Sequence, residues 1–229
     1  MTIAVVNNSF AVPGAVSSLT LNVPSGTVSG QLMLAFLTWE GPWTITPPSG
    51  WTLFSLPGSQ SNPYGYTLGE EGMSTAVYLR YAGASEPASY TWNFSNTAYP
   101  VGGIVTLSGT VAGAPLDTSS QNNASSAAPT ALSVTTAAAG DYLFAWYSTT
   151  VSGSTLTPPA GYTVLWNQPY VASVNFGSVL LGKVLGGAGA TGNAIASPNL
   201  DFVAWQLAIL SVSPPPGPQA AAVPVMIIT

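Results

Sequence analysis

Gly30-Gln31-Leu32-Met33-Leu34-Ala35-Phe36 returns later in the chain as Gly140-Asp141-Tyr142-Leu143-Phe144-Ala145-Trp146. Each copy is a glycine turn followed by an apolar run of the length of a buried strand. Three more matches follow in the same order. Thr46-Pro47-Pro48-Ser49-Gly50-Trp51-Thr52 matches Thr157-Pro158-Pro159-Ala160-Gly161-Tyr162-Thr163. Val77-Tyr78-Leu79-Arg80-Tyr81 matches Leu180-Leu181-Gly182-Lys183-Val184, and Gly103-Ile104-Val105-Thr106-Leu107-Ser108 matches Gln206-Leu207-Ala208-Ile209-Leu210-Ser211. The order never changes and the spacing drifts by only a few residues, as loop insertions would cause. The chain therefore reads as two copies of one strand pattern, and self-similarity of this kind sets the architecture before any single element does.

Each copy reads as β. Leu19 to Val23 alternates and ends at the turn Pro24-Ser25-Gly26. The Pro-Pro-Ser-Gly and Pro-Pro-Ala-Gly segments are turns, with proline presetting φ and glycine taking the positive-φ position. Trp51 to Phe54 is a short strand, Ser74 to Tyr81 alternates, and Tyr90-Thr91-Trp92-Asn93-Phe94 places three aromatics on one face. Val101 to Ser108 closes the first copy. Ala131 to Thr135, Tyr142 to Tyr147, Thr163 to Trp166, Val179 to Val184 and Phe202 to Val212 repeat the series. No segment has a helical period with a capped start. Neither copy has enough strands to cover its own apolar faces. The expected fold is all-β: one two-layer antiparallel β-sandwich, jelly-roll-like, over residues 1–213, with two separate small sandwiches as the alternative. Repeat one spans 17–109, a connector 110–130, and repeat two 131–213, with Asp117 to Pro129 as the polar part of the connector.

Residues 214–229 read differently. Pro214-Pro215-Pro216-Gly217-Pro218 is a stiff, polyproline-like spacer. Beyond it, Ala220 to Thr229 has no charged side chain and ends in a β-branched strand. Left free in water, such a strand is an aggregation hazard. Val223, Val225, Met226, Ile227 and Ile228 are therefore the expected subunit-interface residues, inserted into a groove on a neighbouring copy by β-strand addition. Thr2 to Val6, with Asn7 to Gly14 as spacer, is the second candidate donor.

Composition narrows the function. The chain has 229 residues, of which 47% are hydrophobic and 4% charged, with net charge −5. Ordinary globular chains carry about 25% charged residues. Two basic residues give no footprint for nucleic acid or an anionic membrane. No run approaches the roughly 20 apolar residues of a membrane helix, since Phe202 to Leu210 is short and contains Gln206. The start lacks a basic region before its apolar residues, so it does not read as a secretory signal. The chain contains neither cysteine nor histidine, which excludes disulfides, thiolate or imidazole metal sites and Ser-His-Asp chemistry. Gly186 to Gly192 lacks the Gly-Lys-Ser/Thr ending of a phosphate loop and reads as a hairpin loop. Glu40, Glu70, Glu71 and Glu86 are the carboxylates available to a glycosidase, and Glu70, Glu71 and Asp117 those available to calcium, but none has the spacing for it. No catalytic, metal or cofactor residue is expected.

The remaining candidates are positional. Arg80 and Lys183 occupy equivalent places in the two copies, suited either to an ion pair with a neighbouring subunit or to a strand-end charge that keeps an edge wet. Trp39, Trp43, Trp51, Tyr64, Tyr66, Trp92 and Tyr99 would serve a sugar-stacking platform, with core packing as the alternative. Asn7, Asn93 and Asn123 each begin an Asn-x-Ser triplet, the acceptor for N-linked glycan in a suitable cell.

The motifs Ser-Gly-Gln-Leu-Met-Leu-Ala-Phe, Thr-Pro-Pro-Ser-Gly-Trp-Thr, Ala-Val-Tyr-Leu-Arg-Tyr-Ala and Gly-Gly-Ile-Val-Thr-Leu-Ser-Gly resemble a β-sandwich domain of phage, prophage and bacterial surface structural proteins. The resemblance covers Val16 to Val212. With the C-terminal tail added, the chain is similar to fibril subunits that polymerise by strand donation. It implies an extracellular or virion-surface structural protein whose partner is itself, assembled as a helical homopolymer. A virion decoration or tail protein, and a carbohydrate-binding module, are the other classes it leaves open.

Overall fold

The computed structural model describes residues 3–54, 72–149, 155–168 and 177–212. The spacer and the Val223–Ile228 strand lie outside the described residues, as do Tyr64, Tyr66, Glu70 and Glu71. The described chain contains no helix, and every strand pair is antiparallel.

Two five-stranded sheets form the centre. The first runs β1 (Ala4–Ala11), β8 (Val101–Ser108), β3 (Leu32–Glu40), β6 (Met73–Tyr81), β5 (Thr52–Leu53). The second runs β9 (Leu116–Ala127), β17 (Leu200–Ile209), β12 (Tyr142–Thr149), β14 (Gly177–Val184), β13 (Thr163–Gln168). Position by position the strand order is the same. Register agrees too: Arg80 lies opposite Met33 on β3, and Lys183 opposite Leu143 on β12. The fourth sequence match is displaced by one residue. Leu107 pairs with Leu32 and Ile209 with Tyr142, so the counterpart of Leu107 is Ile209 rather than Leu210. Burial decides this, because Leu107 and Ile209 both point between the sheets.

The sheets pack face to face, each reversed relative to the other. Phe10 of β1 meets Trp166 of β13 at 5.2 Å, Phe36 of β3 meets Phe144 and Trp146 of β12 at 5.3 Å each, and Trp205 Nε1 of β17 donates to Thr75 Oγ1 of β6 at 3.3 Å. Tilted and edge-on rings at these separations favour aromatic pairing beyond simple area burial. The other face of each sheet is also covered. β2 (Val16–Asn22), β7 (Ser89–Ala98) and β4 (Ile45–Thr46) form a three-stranded sheet over the first. Their Leu19, Leu21, Trp92 and Phe94 pack on Met33, Leu37, Trp39 and Tyr78. Two short pairs cover the second: β10 (Thr130–Ala131) with β16 (Ala194–Ile195), and β11 (Thr135–Thr136) with β15 (Gly189–Ala190). The two sheets of the expected sandwich thus each acquire an outer layer. β3 and β12 consequently read as mostly apolar runs, and all of β12 is buried.

Four segments differ from the sequence reading. The polar connector is a strand: β9 spans Leu116–Ala127 and pairs along β17. Its small polar side chains suit the rim of a sheet, where Ser120 Oγ donates to the Leu132 carbonyl and Asn122 Nδ2 to the Thr130 carbonyl. The N-terminal segment forms β1 and pairs with β8 of its own chain, so Asn7 to Ala11 is strand rather than spacer and Ala4 to Val6 is not a free donor. Ala131 to Thr135 is divided between β10 and β11, and the glycine-rich loop contributes β15. Gln206, the polar break in the last strand, is buried and staples that outer layer. Its Nε2 donates to the carbonyls of Ala131 (3.1 Å) and Gly192 (2.9 Å), and its Oε1 accepts from Thr191 Oγ1 (2.6 Å).

Buried hydroxyls also span the inter-sheet core. Thr38 Oγ1 and Ser148 Oγ are 2.5 Å apart, one from each sheet, while the indoles of Trp146 and Trp166 both donate to Ser178 Oγ, at 3.2 and 3.1 Å. Two outcomes are expected in denaturant unfolding. Phe36→Ala should destabilise by about 3–5 kcal/mol, the range for deleting a buried aromatic. Thr38→Val should cost about 1–3 kcal/mol by leaving the Ser148 hydroxyl unpaired, and adding Ser148→Ala should recover most of that loss.

Candidate functional site

The most elaborate polar cluster among the described residues grows from the Pro-Pro-Ser-Gly turn. Gly50 sits at φ 82°, which lets the chain reverse and drive Trp51 inward. Trp51 packs edge-on against Tyr90 (5.4 Å) and Trp92 (5.1 Å) of β7. Arg80, near the end of β6, lies over the Tyr90 ring at 5.2 Å. Its Nη2 and Nε donate to Glu86 at 3.2 and 3.3 Å, and its Nη1 approaches the Ser49 carbonyl at 3.5 Å. Glu86 accepts further from the Gly83 N–H (2.6 Å) and from the Tyr90 hydroxyl.

Burial acts to raise the Glu86 pKa, but the bonds from Tyr90, Gly83 and Arg80 outweigh it and hold the carboxyl below its usual value. The Glu86 bond raises Arg80 further. Burial, and then the bond to Glu86, pushes Tyr90 up to about 12. A carboxylate held ionised by several donors is a poor proton donor and has little free lone-pair capacity. The cluster clamps the turn to the outer sheet. In the second half, Lys183 lies over the ring of Tyr162 at 4.2 Å, the counterpart of Trp51. Both cations thus stack on aromatics beside the repeated turn. Within the chain, the carboxylate partner of Arg80 is Glu86, six residues away.

The proposed sugar platform does not assemble from its tryptophans. Trp39, Trp51 and Trp92 are buried, because strand alternation and the repeated turn aim them at the core. Trp43 is half-buried, its carbonyl taken by Trp39 Nε1, and Tyr99 packs against the inter-sheet core. The Asn-x-Ser asparagines all lie on strands. Asn7 is exposed at the β1 bulge with Nδ2 bonded to Ser25 Oγ at 2.7 Å, Asn93 is exposed on β7, and Asn123 is half-buried on β9 opposite Val203. Glu40 lies at the end of β3. No group of three or more His, Cys, Asp or Glu side chains able to hold a metal occurs among the described residues.

Sequence reasoning missed Asp141. It is fully buried, and Asp117, which was weighed only for calcium, faces it. The signal was present in the alignment: Asp141 stands where the first copy has Gln31, immediately before an apolar strand.

Compared with known proteins, the chain matches no family model, no curated protein and no solved structure.

The paired turns provide a controlled test. Gly50 and Gly161 have nearly equal φ, 82° and 84°. A methyl group at Gly161 meets nothing within 4 Å, whereas at Gly50 it displaces the Arg80 guanidinium. Gly161→Ala should cost on the order of 1 kcal/mol, the strain of positive φ alone. Gly50→Ala should cost more, and its excess should vanish in an Arg80→Ala background. Thermal unfolding of the four variants checks this.

Proposed function

We propose that this chain is a structural, non-enzymatic subunit of a homopolymeric fibril, extracellular or on a virion surface, joined head to tail by β-strand donation. The observation that carries the reading is the chemistry of the sheet edges. β1, β5, β9 and β13 bound the two central sheets, and together they hold one charged residue, Asp117. Monomeric β proteins blunt such edges with lysine, inward charges or proline. These edges carry no lysine, arginine or proline, and β13 also exposes Val164. An edge of this kind suits main-chain pairing with an added strand.

The sequence supplies a strand to add. Val223, Val225 and Ile227 alternate onto one face, and Met226 and Ile228 onto the other. Pro224 has no N–H, so the strand pairs fully on one side only. Each such side chain contributes about 1.5–3 kcal/mol when buried, before the cost of ordering the segment. A heterologous contact that does not close propagates as a helix. The scarcity of charge acts in the same direction, since little like-charge repulsion opposes copies packing side by side.

Negative-stain microscopy and sedimentation of the full chain beside a version ending at Ser213 test the proposal. Filaments are expected from the full chain alone. Equal filaments from the shortened chain would remove strand donation, and a full chain that stays monomeric at high concentration would remove the polymer. Ile227→Asp should behave as the shortened chain does.

A further inference from the structure

Three strands of the second sheet converge where the last strand ends. Asp141 precedes β12 and is fully buried. Its Oδ1 accepts the Ser211 N–H at 3.2 Å, two residues beyond β17. Its Oδ2 is also buried and has no hydrogen-bond partner among the described residues. The side chain facing it is Asp117, the second residue of β9, whose Oδ2 accepts the Ala137 N–H at 2.8 Å. Lys183, the cation on the neighbouring strand β14, is drawn over Tyr162 instead. Two carboxyl groups therefore meet with their other oxygens already committed to backbone donors. Two ionised carboxylates at this contact would repel each other, and a buried one would go unpaired. A single proton resolves both problems. Placed on Asp141 Oδ2, it makes that oxygen a donor to Asp117, while Oδ1 continues to accept from Ser211.

We propose that Asp117 and Asp141 form a proton-sharing carboxyl pair that latches the end of β17 to β9 and to the start of β12, and that loss of the shared proton loosens this joint. The inference stands on the carboxyl geometry and does not require the fibril reading, although the latch lies at the root of the tail that reading uses. The direction with pH follows from the environment. Burial chiefly, with Asp117 adding to it and the Ser211 N–H opposing, pushes Asp141 up to about 6. An acid whose pKa is raised by folding binds its proton more tightly in the folded state. The latch is therefore firmest below the ordinary aspartate range and weakens as pH rises toward and through about 6.

Amide hydrogen exchange at Ser211, corrected for intrinsic rates, reads the joint directly, and carbon NMR of the aspartate carboxyls reads the proton. In the intact chain, protection at Ser211 should fall about tenfold to a hundredfold between about pH 4 and pH 7.5, in step with an Asp141 carboxyl titration near 6. Asp141→Asn keeps the acceptor for Ser211 and places an N–H₂ towards Asp117, so protection should become flat with pH. Asp117→Asn lets an amide donate to ionised Asp141, so the titration and the loss of protection should both move to lower pH. Flat protection in the intact chain, an Asp141 titration in the ordinary aspartate range, or the same pH-dependent fall in Asp141→Asn would each overturn the proposal. If Asp141→Asn fails to fold, the Asp117→Asn shift alone decides, and its absence overturns the latch.

Discussion

The rest of the molecule depends on the contact between the two central sheets, where Phe36 meets Phe144 and Trp146 from the opposite side. A twisted sheet with one apolar face needs one partner, whereas these sheets are apolar on both faces and need two. Pressing them together buries the inner faces. The outer faces, carrying Met33, Trp39 and Tyr78 on one sheet and Tyr147, Leu181 and Phe202 on the other, then require the covering strands. The same requirement accounts for the composition. A chain that buries both faces of two five-stranded sheets within 229 residues has few positions left for charge.

Several of the polar groups in this interior are paired. Thr38 and Ser148 satisfy each other across the sheets, Ser178 takes two indole donors, and Gln206 uses both ends of its amide to hold the outer layer. Asp141 departs from that pattern, as do the indole N–H groups of Trp51 and Trp92, and it is the carboxyl among them: one of its oxygens is buried without a donor and the other holds the end of the last strand. The Arg80, Glu86 and Tyr90 cluster shows the contrasting solution, in which a carboxylate is saturated and therefore fixed in one state. The two arrangements differ in what they can do. The saturated cluster can only hold, while the proton-sharing pair can hold or release. The sheet edges differ again, with backbone groups flanked, except at Asp117, by uncharged side chains.

Much of the fold was legible in the chain itself. The runs Leu32 to Trp39 and Tyr142 to Tyr147 are strands, the Tyr90, Trp92 and Phe94 stripe faces a core, and the matched motifs occupy matched positions in two sheets of the same order. Less was legible at the rims. Leu116–Ala127 carries the composition of a loop and forms the longest strand described, because residues of β17 more than 70 positions away along the chain offer it a ladder. Ala4–Ala11 looks free in the sequence and is strand for the same reason, β8 lying beside it. Trp39, Trp51 and Trp92, which suggested a sugar platform, are buried where the outer sheet closes over β3 and β6.

Periodicity, turn chemistry and the absence of histidine and cysteine are local properties, so the sequence by itself determined the strand identity of the core, the turns and the lack of thiol and imidazole chemistry. Which segments complete a sheet, which side of an apolar strand needs an outer layer, and which two aspartates meet were decided only by the tertiary structure. Each of these depends on a partner far away along the chain, and alternation within a strand carries no record of who that partner is.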